Sequence, residues 1–322
     1  MKKSTITIII ILVTSSLSFS QIKLPKIFPT ADYSYLSDDY SCFSYLSDNT
    51  MPYSTDEKTI EMYLNAMTVN WNYLDFATAQ KMMNEVIKSD PIFAVAYAWK
   101  TFDSNLTEEK RWTSMNKAIE YSAEATESER IYIEAVHARL MKVTELQNRL
   151  INETRVDTFL REDTTNNVIE YWVEKTEPEI DWTEQWAVQI PYIQKLVSMH
   201  PDDFYMNLLL GVFYVQTGNA MKGKHYLYKA LSLDKNSPAV RNLLGYAFLE
   251  MGNTLRAEKE FDKYINLLPE AANPYDSKGD FYTRIGQYAK AVEMYDKAYS
   301  INSSFTVSKD KADRIRNRIT AE

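Results

Sequence analysis

Apolar residues return every three or four positions along most of this chain, with charged and polar residues between them. That is the period of a helix with one buried face. The run from Asp56 sets Ile60, Tyr63, Leu64 and Met67 on one face, and its acidic start suits a helix N-terminus. A second helix is expected over FATAQKMMNEVIKSD, stopped by Pro91. AVAYAWKTF and RWTSMNKAIEYSAEA predict a further pair. Thr126 then lies three residues before Glu129, the spacing of a capping box, ahead of Ile131, Ile133, Ala135, Val136, Leu140 and Val143. Helices are therefore expected across residues 58–150.

Two segments break the rhythm. Residues 21–57 read as an irregular N-terminal arm, in which SYLSDDY at Ser34 recurs as SYLSDNT at Ser44, flanked by Pro25, Pro29 and Pro52. The arm is either a tandem duplication within a linker or a segment that docks Tyr35, Leu36, Tyr45 and Leu46 on the first helices or on a partner. Residues 151–186 form an acidic, aromatic insert or an irregular repeat, carrying Trp172, Trp182 and Trp186. Packing is the expected role of these indoles.

The C-terminal third keeps a strict ruler. Gly211, Gly245 and Gly279 stand 34 residues apart, and so do Gly218, Gly252 and Gly286. Gly223 shares a column with Ala257 and Ala291. Leu227, Phe261 and Tyr295 form another, as do Tyr214, Phe248 and Tyr282, while Pro201 and Pro269 lie two periods apart. A glycine costs a helix about 1 kcal/mol relative to alanine, so glycines in phase mark a packing requirement. The period predicts helix–turn–helix units at 204–237, 238–271 and 272–305. The first glycine of each is expected inside helix A, where it admits helix B, and the second at the left-handed end of helix A. Ala79 and Pro91 keep the spacing of Ala257 and Pro269, so 60–93 reads as a degenerate first unit, with 94–127 and 167–203 as weaker candidates. Repeats are thus assigned over 187–305, and 306–322 to a polar helix that caps the stack. The expected fold is all-α, a helix–turn–helix solenoid with an irregular N-terminal arm.

This order of small, aromatic and proline positions is similar to that of the tetratricopeptide repeat (TPR) family, clearly over about residues 200–305 and more loosely over 60–150. SERIYIEA, HPDD, NLLGYAF and NPYDSKGDFY resemble stretches of a broad set of bacterial TPR proteins. The resemblance implies a TPR superhelix, with degenerate TPR-like helices over 58–150, that serves as a non-catalytic binding scaffold. It also implies a groove lined by helix A: Tyr205, Leu208, Val212, Val215 and Gln216, then Ala239, Asn242, Tyr246, Leu249 and Glu250, then Asn273, Asp276, Asp280, Thr283 and Arg284. Such a groove runs from apolar to acidic. Partner binding is accordingly expected at Tyr205, Asn242, Tyr246, Glu250, Asn273, Asp276, Asp280 and Arg284; alternatively, several of these pack against the N-terminal helices or a bent neighbouring repeat. Chaperone-binding members hold a C-terminal carboxylate with lysine, arginine and asparagine. Here Arg284 is accompanied by Asp276 and Asp280, so an apolar peptide with a basic end suits the groove better. Related stretches occur fused to regulators or signalling enzymes, which implies an alternative: a sensory or regulatory ligand-binding subunit of a membrane signalling system.

The first residues add an address. MKK, ITIIIILV and TSSLSFS have the layout of a signal peptide over 1–20, with cleavage after Ser20. Its apolar core is well short of the roughly 20 residues that span a bilayer. The expectation is an exported bacterial protein, periplasmic or secreted, with no stable membrane span after cleavage. Loss of Lys2 and Lys3 takes the formal charge from −8 to −10. An acidic chain repels nucleic acid, so no nucleic-acid partner is expected. Cys42 is the only cysteine, so no internal disulfide forms. His137, His200 and His225 are dispersed, and the sequence holds no H-E-x-x-H, C-x-x-C, P-loop or G-x-S-x-G pattern. No catalysis, cofactor or metal is expected, and the partner class is a protein or peptide. A carbohydrate-active hydrolase remains as a third reading, with Trp172, Trp182 and Trp186 as a sugar platform and Asp181 and Glu184 as the acid pair.

Overall fold

The computed structural model describes residues 50–72, 76–163 and 168–321. The signal segment, the arm as far as residue 49 and Cys42 lie outside the described residues. Helices come in stacked pairs. The first two pairs are α1 (Glu57–Asn72) with α2 (Phe76–Ser89), and α3 (Ala94–Lys100) with α4 (Glu108–Tyr121). The long α5 (Glu127–Glu153) opens on the expected capping box: the Thr126 hydroxyl accepts the Glu129 N–H at 3.2 Å, and the Glu129 carboxylate accepts the Thr126 N–H at 2.7 Å.

The segment after α5 departs from helix. Strands β1 (Arg155–Asp163) and β2 (Val168–Thr176) pair antiparallel, with Phe159 opposite Trp172. Their sequences mix β-branched and aromatic residues with charges, a composition that favours an extended pair over a helix. The candidate unit at 167–203 is therefore corrected. The third pair is α5 with α7 (Ile190–Met199), and the hairpin and the short α6 (Glu184–Ala187) are inserted between its two helices. The regular pairs follow: α8 (Phe204–Gln216) with α9 (Ala220–Leu233), α10 (Pro238–Glu250) with α11 (Thr254–Leu267), and α12 (Ala272–Arg284) with α13 (Tyr288–Ile301). The final helix, α14 (Thr306–Ala321), packs on α13. It begins where the 34-residue ruler places the next helix A, so it stands as the first helix of a seventh unit.

The glycine columns pair with the aromatic column. A Cβ on Gly245 would stand 2.7 Å from the Phe261 ring, and one on Gly279 would stand 2.5 Å from the Tyr295 ring. Gly211 holds the same relation to Leu227 at 2.7 Å. Each of these second helices thus seats a buried side chain, Leu227, Phe261 or Tyr295, on bare helix A backbone, and tight packing offsets the lost helix propensity. The second glycines close helix A. Gly252 has φ 71°, its N–H donates to Leu249 O at 3.0 Å, and Asn253 N–H donates to Phe248 O at 2.8 Å. This pair of bonds is a Schellman motif. Asn253 then caps α11 by accepting the Arg256 N–H. Nothing lies within 4 Å of a Cβ at Gly252, so strain alone opposes substitution there. Gly252→Ala is expected to cost about 1–2 kcal/mol, read as a lower urea midpoint with an unchanged denaturant slope.

The first unit does not simply begin the stack; it crosses to the fourth and fifth. The Tyr205 hydroxyl at the start of α8 meets the Thr68 hydroxyl at 2.6 Å and donates to Leu64 O at 3.3 Å, both on α1. Ser237, which caps α10, donates to Asn72 Oδ1 at the end of α1. The chain leading into α1 is fixed too, since Met51 N–H donates to Asp203 Oδ2 at 2.9 Å and Ser54 N–H to Glu129 Oε1 at 3.1 Å. Asp203 also caps α8. Burial raises its carboxyl above the ordinary value, against these backbone donors, which pull it down.

Candidate ligand-binding face

These crossings decide which helix A residues stay open. Tyr205, Leu208, Val212 and Val215 are all buried, and the Tyr205 hydroxyl is spent on α1. Tyr205 is therefore removed from the open face. Asn242 on α10 is buried as well, with its Oδ1 unpartnered among the described residues. Asn273 turns inward and donates to the Tyr264 hydroxyl of α11 at 2.8 Å. Asp276 is only 3% exposed and faces α14, where Ser308 and Lys311 bond its two oxygens at 2.6 and 2.8 Å. The remaining four expected residues come together.

Three of them, Tyr246, Asp280 and Arg284, line an open depression of about 300 Å³ between α10 and α12 together with Leu249 and Thr283, and Glu250 pairs with Arg284 beside it. Asp280 is its polar centre. Its Oδ2 accepts the Tyr246 hydroxyl at 3.1 Å, while its Oδ1 accepts the Tyr295 hydroxyl at 2.7 Å and Lys311 Nζ at 2.8 Å. Burial first, and the Asp280 carboxylate second, push both phenols well above their ordinary range, so both remain donors. Thr283 shares a 3.1 Å bond with the Tyr295 hydroxyl. On the rim, the exposed Arg284 and Glu250 form a bidentate pair at 2.9 and 3.0 Å. That pair joins the fifth and sixth units at equivalent positions of their first helices.

The charge balance differs from a simple acidic end. Arg284 cancels Glu250, and Lys311 offsets one of the two aspartates, leaving a single net negative charge set among phenol rings. Lys311 and Tyr295 were absent from the sequence reading of the groove. The ruler alone could have flagged Lys311, because Thr306 occupies the phase of Phe204, Pro238 and Ala272.

The insert offers its residues to other tasks. Asp181 Oδ1 accepts the Thr183 N–H and hydroxyl at 2.9 and 2.7 Å, which forms a turn ahead of α6. Glu184 lies 3.4 Å from Lys142. Trp186 stacks on Phe213 with ring centroids 5.5 Å apart, whereas the side chain of Trp172 lies outside the described residues. The acid pair of the hydrolase reading thus serves a turn and an ion pair. His137 meets the edge of Trp112, His200 bonds Ser128 at 2.8 Å, and His225 meets Tyr226. Among the described residues, no group of three His, Cys, Asp or Glu side chains is placed to hold a metal, and no helix is long and apolar enough to cross a membrane.

Paired helices in register, with an open face built from the first helices of successive units, define an α-helical repeat fold. The tetratricopeptide repeat family matches residues 204–237 and 272–305, the fourth and sixth pairs. No curated protein matches the chain. Among solved structures, a tetratricopeptide repeat protein from Parabacteroides merdae is 15% identical over 81% of this chain and 88% of its own, with a TM-score of 0.47. YrrB, described as a TPR protein with an unusual peptide-binding site, is 16% identical over 72% of this chain and 97% of its own, with a TM-score of 0.39. MamA is 22% identical over 44% of this chain and 87% of its own, with a TM-score of 0.37.

Proposed function

We propose that this protein is an exported, non-catalytic scaffold that binds an extended segment of a partner protein across α10 and α12. The observation that carries the reading is the open depression at Tyr246, Leu249, Asp280, Thr283 and Arg284, away from the α1 contacts at Tyr205 and Ser237. Leu249 and the Tyr246 ring offer an apolar wall, and Asp280 offers an acceptor with residual negative charge. A segment bearing an apolar side chain beside a lysine or arginine matches both. Export rests on the signal-like residues 1–20. A sensory subunit would use the same face for a ligand, but no separate observation favours it.

Site-specific photo-crosslinking in the native host tests the proposal. The crosslinker replaces Glu250, which is exposed beside the lining residue Arg284, and in the control Lys259, exposed on α11. A discrete protein adduct from position 250 alone is the expected result. Adducts of equal yield from both positions, or products linked only within the chain, would remove the α10–α12 face as the working surface.

A further inference from the structure

A second feature lies in the third unit, apart from the α10–α12 depression. Arg139, midway along α5, is only 8% exposed, and it makes no ion pair among the described residues. Its Nε is sealed from solvent, with no hydrogen-bond partner among the described residues. Two rings lie against the guanidinium: Phe102, just past α3, with its centroid 4.4 Å away, and Trp186 of the inserted α6 at 5.4 Å. The acid on that short helix, Glu184, is engaged with Lys142 rather than with Arg139. Arg111 adds a second positive charge nearby, tied by its own donors to the carbonyls of Asp103 and Ser104. Burial first, and then Arg111, bring the Arg139 guanidinium down to about 10, so it stays charged at neutral pH.

A buried cation without an acceptor is unfavourable, and the usual compensation is an opposite charge with hydrogen bonds. Rings stacked on a guanidinium cover its faces and leave its donors in the plane. That edge matches a planar carboxylate through two parallel N–H···O bonds. The insertion of α6 is what brings the Trp186 ring to the guanidinium.

We propose that Arg139 anchors a carboxylate-binding site in the third unit, beside the rings of Phe102 and Trp186 and reinforced by the charge of Arg111. A small free organic acid and the terminal carboxylate of a peptide share this chemistry. The site is independent of the α10–α12 face, so either can fail without the other.

The test uses the full mature chain with sodium acetate as probe, at constant ionic strength held with sodium chloride. Wild type is expected to show a saturating rise in melting temperature and a saturable shift of the acetate carboxyl ¹³C signal. Arg139→Met keeps the length of the stem and abolishes both responses. Arg139→Lys keeps the charge but loses the fork, and weakens binding about tenfold or more. Trp186→Phe retains a ring against Phe213 and weakens binding in a chain that still melts cooperatively, which covers the case in which the methionine variant misfolds. A short peptide with a free C-terminus that displaces acetate, while its amidated twin does not, assigns the peptide source. Failure of both peptides to compete assigns a small acid. An acetate response equal to that of chloride or phosphate, or one that persists in Arg139→Met, overturns the proposal.

Discussion

Phe261→Ala is expected to destabilise the C-terminal units by about 3–5 kcal/mol, the range for a phenylalanine deleted from a tight core. Phe261 is fully buried on α11 and packs in three directions. It lies on the bare backbone of Gly245 in α10, meets Tyr246 edge-on at 5.2 Å, and tilts against Phe281 of α12 at 5.8 Å. One ring therefore joins both helices of the fifth unit to the sixth. Gly245 has no side chain that could collapse into the void, which argues for the upper part of the range. In a stacked array each unit is stabilised by its neighbours, so the loss should be local. Hydrogen exchange should show lost protection in α10–α13, with α3–α5 retained. Equal loss along the whole chain would mean that the α1 crossing welds the units into one cooperative body. A loss below about 1 kcal/mol would mean that the ring is not a packing centre.

Lys311→Ala is the second large effect. Lys311 is the ammonium shared by Asp276 and Asp280, at 2.8 Å from each. Removing one partner of a buried pair costs roughly 3–5 kcal/mol. The Lys311 side chain is 25% exposed, so solvent screens part of the loss and about 2–3 kcal/mol is expected. The sign with pH follows from Asp276. Burial, and then Asp280, raise its carboxyl above the ordinary 3.8, with Lys311 opposing. A carboxyl raised in the folded state contributes stability that is complete below 3.8 and is lost as pH rises through the folded value. Without Lys311 that folded value moves higher still. The deficit of the variant should therefore be largest at neutral pH and shrink on acidification towards 3.8. Urea unfolding at a series of pH values measures this, and Asp276→Asn in the Lys311→Ala background should recover part of the loss at neutral pH. A deficit that does not change with pH would show that Lys311 acts by packing over Tyr295 rather than by charge.

The sequence by itself determined the helices, the phase of the regular units and the purpose of their glycines. Each of these is a local signal. Gly245 and Phe261 lie within one helical hairpin, the Thr126–Glu129 box closes within one turn, and a left-handed Gly252 is needed wherever helix A must stop. The hairpin at 155–176 was partly legible, in its β-branched and aromatic residues, but short apolar runs do not separate strand from helix by period alone. The tertiary structure alone decided which part of the helix A face is open. Its apolar periodicity reads the same whether the opposite side holds a ligand or another piece of the chain. Tyr205 was lost to Thr68, 137 residues away, and Asp276 to Lys311, 35 residues on. The single net charge of the depression and the Arg139 Nε that has no partner among the described residues arise in the same way. The depression's charge and the Arg139 Nε both depend on which groups meet across the stack, and a helical period records only which side of each helix is buried.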